Sequence, residues 1–279
     1  MGLGTNHMTI TTGANFIPEI WSKEVQRATE SNLVAARLVK RFDGDVKSKG
    51  DTIHVPIISN LSATAKTAST AVTFSSPTEN KVDITIDKHY HIAFIVEDIL
   101  DAQQAYNTAE EYKEKGSYGL AKQMDTDILA LYTNITQTVG SSGVPPTDNN
   151  ILRAIQYLDD ADAPSSDRSF IMRPSLKASL LGIDRYVDQD FVDDQPVKTG
   201  LFGQRYGVNF YVSTNVPVDG SSNPINQLIQ KEVYAAALQQ NISVKSQYII
   251  DFLGTAYALQ ILYGVASYRA TFGCLVYSN

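Results

Sequence analysis

Three glycines precede an apolar run in the segment VKTGLFGQRYGVNFYVSTNVP, at Gly200, Gly203 and Gly207. Glycine-rich loops bind phosphate where the backbone amides at the start of a helix face the anion. The order here, G-x-x-G-x-x-x-G, differs from the dinucleotide fingerprint and from the phosphate loop. The β-branched and aromatic residues that follow predict a strand, not a helix. We therefore interpret the glycines as turn residues that adopt positive φ, and not as a phosphate site.

A second candidate site is the acidic segment GIDRYVDQDFVDDQP. Its carboxylates are Asp184, Asp188, Asp190, Asp193 and Asp194. Clustered carboxylate oxygens suit hard divalent cations, but the spacing lacks the mid-loop glycine and closing glutamate of a calcium loop. A solvated acidic loop is the favoured interpretation. A cytoplasmic α+β enzyme that uses Asp184–Asp194 with a divalent metal is the alternative.

The remaining candidates are two histidines and one cysteine. His89 and His91 are two residues apart on a predicted strand, so they share one face, but no third metal ligand is evident nearby. A single cysteine, Cys274, excludes a disulfide framework or a cysteine zinc site within one chain and is expected in the core. No nucleophile elbow, zinc-protease helix or kinase signature is present. We therefore expect no catalytic residue, no metal and no cofactor.

The composition and net charge of the chain argue against some classes of function. The chain has 279 residues, 43% hydrophobic and 19% charged, with a formal net charge of -7. These values are typical of a folded protein, and the negative charge argues against a dedicated reader of duplex DNA. Weak contact with DNA through a local basic face is compatible with this net negative charge. No apolar run approaches the ~20 residues that cross a bilayer, and the first residues lack a secretory signal, so we expect a cytoplasmic protein with no membrane partner.

The elements that must position these residues begin with an unusual region, Gly50–Asp98. Two runs alternate β-branched residues, which predicts two strands, and the second extends for about sixteen residues or ~50 Å. Pro56 marks the first run as an edge or a bulge. The stretch between them is small and hydroxyl-rich, with Phe74 as its only aromatic. An isolated hairpin is marginal in water, so this arm should lie on another surface.

Two lysines lie on this arm, Lys66 at its tip and Lys81 at its shoulder. They either protect the strand edge or contact acidic groups of a neighbouring subunit. An apolar cluster near the N-terminus, which includes Phe16, Ile17 and Trp21, likewise needs a surface to pack on. The helix predicted after it is capped by Asn32 or Ser31.

From Glu97 to Val139 the apolar period becomes helical and predicts a helix of about thirty residues. Its stripe consists of Tyr112, Leu120, Met124, Ile128, Leu131, Tyr132 and Ile135. Gly116 and Gly119 either weaken its first half or permit close packing there.

Beyond the break at Gly140–Asn150, helical and strand patterns alternate. NILRAIQYLDDA, EVYAAALQQ and SLKASLL predict helices, the last with Ser175 placed to cap it after Pro174. RSFIM, VNFYVSTNV, ISVKSQYII and TFGCLVYS predict strands, and ALQILYGVASY fits either state. Without a strict βαβ rhythm, this mixture favours an α+β fold.

Taken in order, these pieces resemble the major capsid proteins of tailed bacteriophages. IPEIWSKEV and NLVAARLVKRFDGDVKSKGDTIHVP resemble the family's N-terminal arm and the start of its extended loop. The hairpin and the long helix resemble the extended loop and the spine helix. FIMRPSLKASLL, GLFGQRYGVNFYVSTNVP and NQLIQKEVYAAALQQ resemble successive passages of the axial domain. No single motif is diagnostic, and the order of many weak ones carries the resemblance.

The resemblance implies five parts. These are an N-terminal arm at 1–49, an extended β-hairpin loop at 50–98, a peripheral domain with the spine helix at 99–144, an axial domain at 145–254 and a C-terminal return to the peripheral domain at 255–279. It also implies a structural protein that assembles through pentamers and hexamers into an icosahedral head around double-stranded DNA.

On this interpretation the chain is not an enzyme. It is located in the virion and assembled in the host bacterial cytoplasm. Its partners would be other copies of itself, packaged DNA through weak non-specific contact, and scaffolding, portal or decoration proteins. The expected inter-subunit residues are Phe16, Ile17, Trp21, Lys66, Phe74 and Lys81. Another phage virion component, such as a decoration or tail protein, is a further alternative.

Overall fold

The computed structural model describes residues 33–44, 51–58, 61–72, 74, 79–99, 108–183 and 203–279. Its helices are α1 Ala35–Leu38, α2 Thr108–Leu129, α3 Asp148–Asp160 and α4 Pro174–Leu180. Its first six strands are β1 Lys40–Arg41, β2 Thr52–Ile58, β3 Glu79–Thr85, β4 Lys88–Glu97, β5 Thr138–Val139 and β6 Arg168–Met172. The other six are β7 Gln204–Arg205, β8 Val208–Val212, β9 Ile225–Gln230, β10 Tyr234–Ile249, β11 Gly254–Ser267 and β12 Gly273–Tyr277.

A six-stranded mixed sheet, in the order β5-β12-β9-β6-β8-β7, forms one half of the core. The pairs β6–β8 and β5–β12 are parallel, and the other pairs are antiparallel. Strands β6 and β9 are buried along their whole length. The polar side chains of β9 are satisfied internally: Gln227 accepts a hydrogen bond from the Tyr234 hydroxyl and donates one to the carbonyl of Leu129 at the end of α2. These bonds avoid the cost of an unpaired buried amide.

A second sheet, in the order β1-β10-β11-β4, is built around the long antiparallel hairpin of β10 and β11. The long helix α2 packs on β11 and β4. A methyl group at Gly116 would lie 3.2 Å from Leu259 Cδ2, and one at Gly119 would lie 3.2 Å from Ile92 Cδ1. The two glycines therefore allow close packing of helix on sheet, as one of the two interpretations expects.

The predicted helix is present as α2 followed by a five-residue 3-10 turn, Ala130–Asn134. Leu120, Met124 and Ile128 of its apolar stripe are buried in the core, whereas Tyr112 is 55% exposed. The predicted helix NILRAIQYLDDA and the predicted strands RSFIM and TFGCLVYS are confirmed as α3, β6 and β12. The α+β fold class is confirmed.

The sixteen-residue strand predicted before α2 is wrong, because the chain changes hydrogen-bonding partner in its middle. β3 pairs with β2 in a separate two-stranded sheet, while β4 pairs with β11. The alternation of apolar residues continues across the break because Ile84 and Ile86 are buried against Ala235 and Ala237 of β10. Pro56 lies in the two-stranded sheet, where it faces Lys81, so its edge position is confirmed.

The helix predicted for EVYAAALQQ is also wrong, since these residues open strand β10. The alanines favour a helix in isolation, but tertiary packing decides here. Ala236 points into the main core while Ala235 and Ala237 pack on the other face of the sheet. This period-two burial is that of a strand buried on both sides.

Two helix starts differ from the prediction. Helix α1 has only four residues, with Val34 at its N-cap, and the predicted caps Ser31 and Asn32 lie outside the described residues. In α4, Pro174 occupies the first turn and Arg173 is the N-cap residue, so Ser175 is inside the helix. Proline at the first helical position needs no N–H partner, which explains why the helix begins there.

Gly264 of β11 provides a test of this packing. A Cβ at Gly264 would lie 2.3 Å from the carbonyl oxygen of Thr85, at the end of β3. We expect Gly264→Ala to cost about 1–3 kcal/mol of unfolding free energy through overpacking, and to lower the melting temperature by several degrees. Thermal unfolding followed by circular dichroism measures this. Gly220→Ala is the matched control, because a Cβ there meets nothing within 4 Å, and equal melting temperatures for both variants would contradict the assigned packing.

Candidate inter-subunit surfaces

The end of β2 and the loop that follows it carry strongly exposed apolar side chains. Ile58 is 87% exposed, Leu61 is 70% exposed and Phe74 is 95% exposed. Every described residue from 61 to 74 is exposed. We call these residues the loop tip. An apolar group this exposed, on a loop without a core of its own, is typical of a contact with another molecule.

Lys66 and Phe74, two of the residues predicted to contact a neighbouring subunit, lie in the loop tip. Lys81 lies instead on β3, where its Nζ is 3.1 Å from Asp83 Oδ2. The same carboxylate is 2.5 Å from His54 Nδ1. The hydrogen bonds from His54 and then Lys81 hold the pKa of Asp83 below its usual value. Phe16, Ile17 and Trp21 lie outside the described residues.

Polar groups on an edge strand discourage unwanted strand pairing. The cluster of His54, Lys81 and Asp83 lies on the two-stranded hairpin, in which both strands are edges. Edge protection therefore explains Lys81 without a partner, and its contact with a neighbouring subunit stays a prediction.

A second apolar surface lies at the turn of the β10–β11 hairpin. Ile250 is 75% exposed, Phe252 is 61% exposed and Leu253 is 64% exposed. We call these three residues the hairpin tip. Leu253 has a φ of 43°, a left-handed conformation that reverses the chain into β11. Nearby, the Tyr248 hydroxyl donates to Asp98 Oδ2 at 2.7 Å and ties β10 to the end of β4. The sequence signal is the apolar run YIIDFL directly before Gly254; its first three residues were predicted only as the end of the strand ISVKSQYII.

A buried carboxylate joins the N-terminal part of the chain to α2. Asp125 is fully buried and accepts hydrogen bonds from the backbone N–H of Ala36 and from Asn215 Nδ2, each at 3.2 Å. Burial raises the pKa of Asp125, and hydrogen bonds from Asn215 and from the backbone of residues 34–36 oppose that rise. Sequence analysis missed Asp125, although an acid between Met124 and Ile128 of the apolar stripe is a usable signal.

The described part of the glycine segment, from Gly203 onward, forms a tight hairpin turn that leads into strand β8 and not into a helix. Tyr206 and Gly207 have φ values of 51° and 74° and connect β7 to β8, with Arg205 facing Val208. Two central residues with positive φ are typical of a type I′ turn. Gly203 has a φ of 55°, so the turn interpretation is confirmed for Gly203 and Gly207. Gly200 and the acidic segment Asp184–Asp194 lie outside the described residues.

The remaining candidates are structural. His89 and His91 share the exposed face of β4, as predicted. Cys274 is fully buried in β12, and burial raises the pKa of its thiol to about 12. Within the described ranges, no group of three or more His, Cys, Asp or Glu side chains is arranged to hold a metal ion. No helix in the same ranges combines the length and apolar character needed to cross a membrane.

Comparison with known proteins identifies the fold. No protein-family model and no curated protein sequence matches the chain. Among solved structures, a chain from Mycobacterium phage Che8 is similar at a TM-score of 0.82 and 23% identity, covering 94% of this chain and 97% of that one. The capsid structure of cyanophage P-SCSP1u matches at a TM-score of 0.81 and 15% identity, covering 100% and 97%. The capsid of a native GTA particle matches at 0.74 and 10%, covering 98% and 99%. The chain therefore has the fold found in phage capsids, as the sequence resemblance implied.

Asp125 predicts an unusual pH dependence. Because burial raises its pKa above the ordinary 3.8, the folded protein binds this proton more tightly than the unfolded chain does. The contribution of Asp125 to stability should therefore rise as pH falls from the folded pKa toward 3.8. Urea unfolding of the wild type and of Asp125→Asn between pH 8 and pH 4 measures it. The wild type should gain stability relative to the variant at the acid end.

The exposed Asp251→Asn variant is the charge-matched control for this titration. A difference between wild type and Asp125→Asn that is constant over the whole pH range would contradict the assigned burial of the carboxylate.

Proposed function

We propose that this chain is a major capsid protein, a shell subunit that assembles with copies of itself into the icosahedral head of a tailed phage. The observation that carries the proposal is the exposed loop tip on a chain with the fold of phage capsids. Phe74 is 95% exposed, and burying a phenylalanine side chain contributes about 1.5–3 kcal/mol. A subunit that leaves such groups in water gains this free energy when a neighbour covers them.

The contacts are heterologous, because the loop tip and the hairpin tip are different surfaces that meet other surfaces of adjacent copies. Heterologous contacts that close generate rings, and rings of five and six subunits tile an icosahedral shell. On this proposal β6, β7, β8 and β9 of the six-stranded sheet belong to the axial domain at 145–254, whereas its strands β5 and β12 lie in 99–144 and 255–279. Helix α2 belongs to the peripheral domain at 99–144. The N-terminal arm at 1–49 and the loop at 50–98 reach over neighbours, and residues 255–279 return to the peripheral domain.

The other proposed partners follow from this role. The shell encloses double-stranded DNA, which it contacts weakly and without sequence preference. Scaffolding, portal and decoration proteins are further partners during or after assembly in the cytoplasm of the bacterial host. The role needs no catalytic residue and no cofactor. The alternative of a metal-dependent enzyme at Asp184–Asp194 gains no supporting observation, because that segment lies outside the described residues.

Deletion of residues 62–76 tests the loop. Every residue of the deleted range that the structure describes is exposed, and the paired strands β2 and β3 stay intact, so the body should fold with a nearly unchanged melting temperature. Assembly should be strongly impaired. Negative-stain electron microscopy counts particles, and circular dichroism follows folding. Particles of normal number from the deleted chain would sink the inter-subunit role of the loop.

A point variant sharpens this test. Phe74→Ser removes the most exposed of the large apolar side chains described and should reduce the yield of particles by roughly tenfold, the effect of about 1.4 kcal/mol at one contact. Thr64→Ala, an exposed change on the same loop, is the control and should assemble like the wild type. If both variants assemble equally, Phe74 makes no contact in the shell.

The hairpin tip should also act between copies. We expect Phe252→Ser to preserve folding, since this side chain is 61% exposed, and to lower the proportion of closed shells. Sedimentation velocity separates shells from smaller oligomers. Lys245→Ser, on the exposed outer part of β10, is the control. An unchanged sedimentation profile for Phe252→Ser would show that the hairpin tip makes no contact between subunits.

A further inference from the structure

A cleft beside α1 and β1 carries several positively charged side chains, although the protein as a whole is acidic. It lies between β1, the β9–β10 turn and the segment before β6, and its volume is about 550 Å³. Its lining includes the side chains of Arg37, Lys40, Arg41 and Lys231. The whole chain carries a formal charge of -7, so this accumulation of cations differs from the average surface.

Two of these cations have no carboxylate partner among the described residues. Arg37 is stacked over the ring of Tyr211, with its Cζ 5.1 Å from the ring centroid. Stacking fixes the plane of a guanidinium and leaves its edge N–H groups available to an acceptor. Lys231 is exposed in the turn between β9 and β10, where its backbone N–H donates to the carbonyl of Asp167. Its ammonium forms no salt bridge within the described chain.

The other two cations of the lining, Lys40 and Arg41, each have a carboxylate partner. Glu232 is shared between Lys40 Nζ at 2.8 Å and Arg269 Nε at 3.5 Å, so one carboxylate serves two cations. Arg41 is fully used by Asp43, with which it forms a salt bridge at 2.9 Å. The lining of the cleft therefore holds more cations than carboxylates, so its net charge is positive; the cations are Arg37, Lys40, Arg41 and Lys231, and the carboxylates are Asp167 and Glu232.

We propose that this cleft binds the phosphodiester backbone of double-stranded DNA. Guanidinium and ammonium groups are the side chains that bind phosphate, and the two unpaired cations border one open cleft instead of being scattered. Two unpaired charges fit weak contact with the backbone, which carries no sequence information. This inference rests on the proposed function, since a shell that encloses DNA presents one of its faces to phosphate. It adds which face of the subunit does so.

The test compares two double variants that lose the same charge. The first, Arg37→Gln with Lys231→Gln, removes the unpaired cations of the cleft and keeps long polar side chains. The second, Lys122→Gln with Lys245→Gln, removes two exposed lysines outside the cleft, on α2 and β10. Fluorescence anisotropy with the purified unassembled chain and a labelled 30-base-pair duplex, from 50 to 200 mM salt, measures affinity and its salt dependence.

The cleft variant should bind the duplex at least fivefold more weakly at low salt. Its slope of log affinity against log salt should be smaller by about 1 for each cation removed. The control variant should keep the slope and affinity of the wild type within twofold. Equal losses in both variants, or no binding by the wild type, would overturn the proposal.

Particle counts by electron microscopy separate this inference from the proposed function. Normal particles from the cleft variant together with weakened DNA binding support the DNA contact. Unchanged DNA binding with normal particles refutes the cleft while the shell proposal stands. Unchanged DNA binding with lost particles assigns the cleft to an acidic surface of another copy, which also overturns the DNA proposal. A wild type that forms no particles would instead refute the proposed function.

Discussion

The rest of this structure depends on close packing at the base of the β10–β11 hairpin. There the two strands lie between the end of β3 on one face and the main core on the other. Ala235 and Ala237 face the base of β3, Ala236 faces the main core, and Gly264 allows the carbonyl of Thr85 to pass where a side chain would stand. Small residues on both strands are required because the sheet is covered on two sides at this level. Larger side chains would separate the loop hairpin from the body.

Away from this base, the β10–β11 hairpin extends outward and its side chains become less buried. The first four residues of β10 are buried, and the other twelve are half-buried or exposed. The bulges between Leu238 and Ser243 occur where this change begins, just beyond Ala236, the last residue of β10 that pairs with β1. They twist the outer part of β10, which has become an edge, away from unwanted pairing. The same hairpin therefore anchors the fold at one end and presents the hairpin tip to the outside at the other. Asp125 secures the opposite side by binding the backbone that leads into β1.

The sequence predicted those features whose signal is local. The stripe of Leu120, Met124 and Ile128 identified the long helix, and the glycines before Val208 identified a turn. Errors arose where tertiary contacts decide. Residues 235–237 are helix formers that become a strand because both faces of the sheet are covered. The run through Ile84 and Ile86 kept a strand period although its hydrogen-bonding partner changed from β2 to β11, and period-two alternation carries no information about partners. The exposure of the loop tip could be predicted from its small, hydroxyl-rich composition. The exposure of the hairpin tip could not, because the apolar residues of YIIDFL resemble those of a core strand.

On the proposed function as a shell subunit, net charge and apolar surface together explain how the copies associate reversibly before a shell closes. Copies that each carry a formal charge of -7 repel one another, but at physiological salt the Debye length of about 8 Å confines this repulsion to close approach. The loop tip and the hairpin tip each offer only a few large apolar side chains, so one contact contributes little beyond the entropy lost on association. A closed ring satisfies several such contacts at once. Weak, spatially separated apolar tips therefore favour the complete assembly over pairs of subunits, and they leave misplaced subunits free to dissociate.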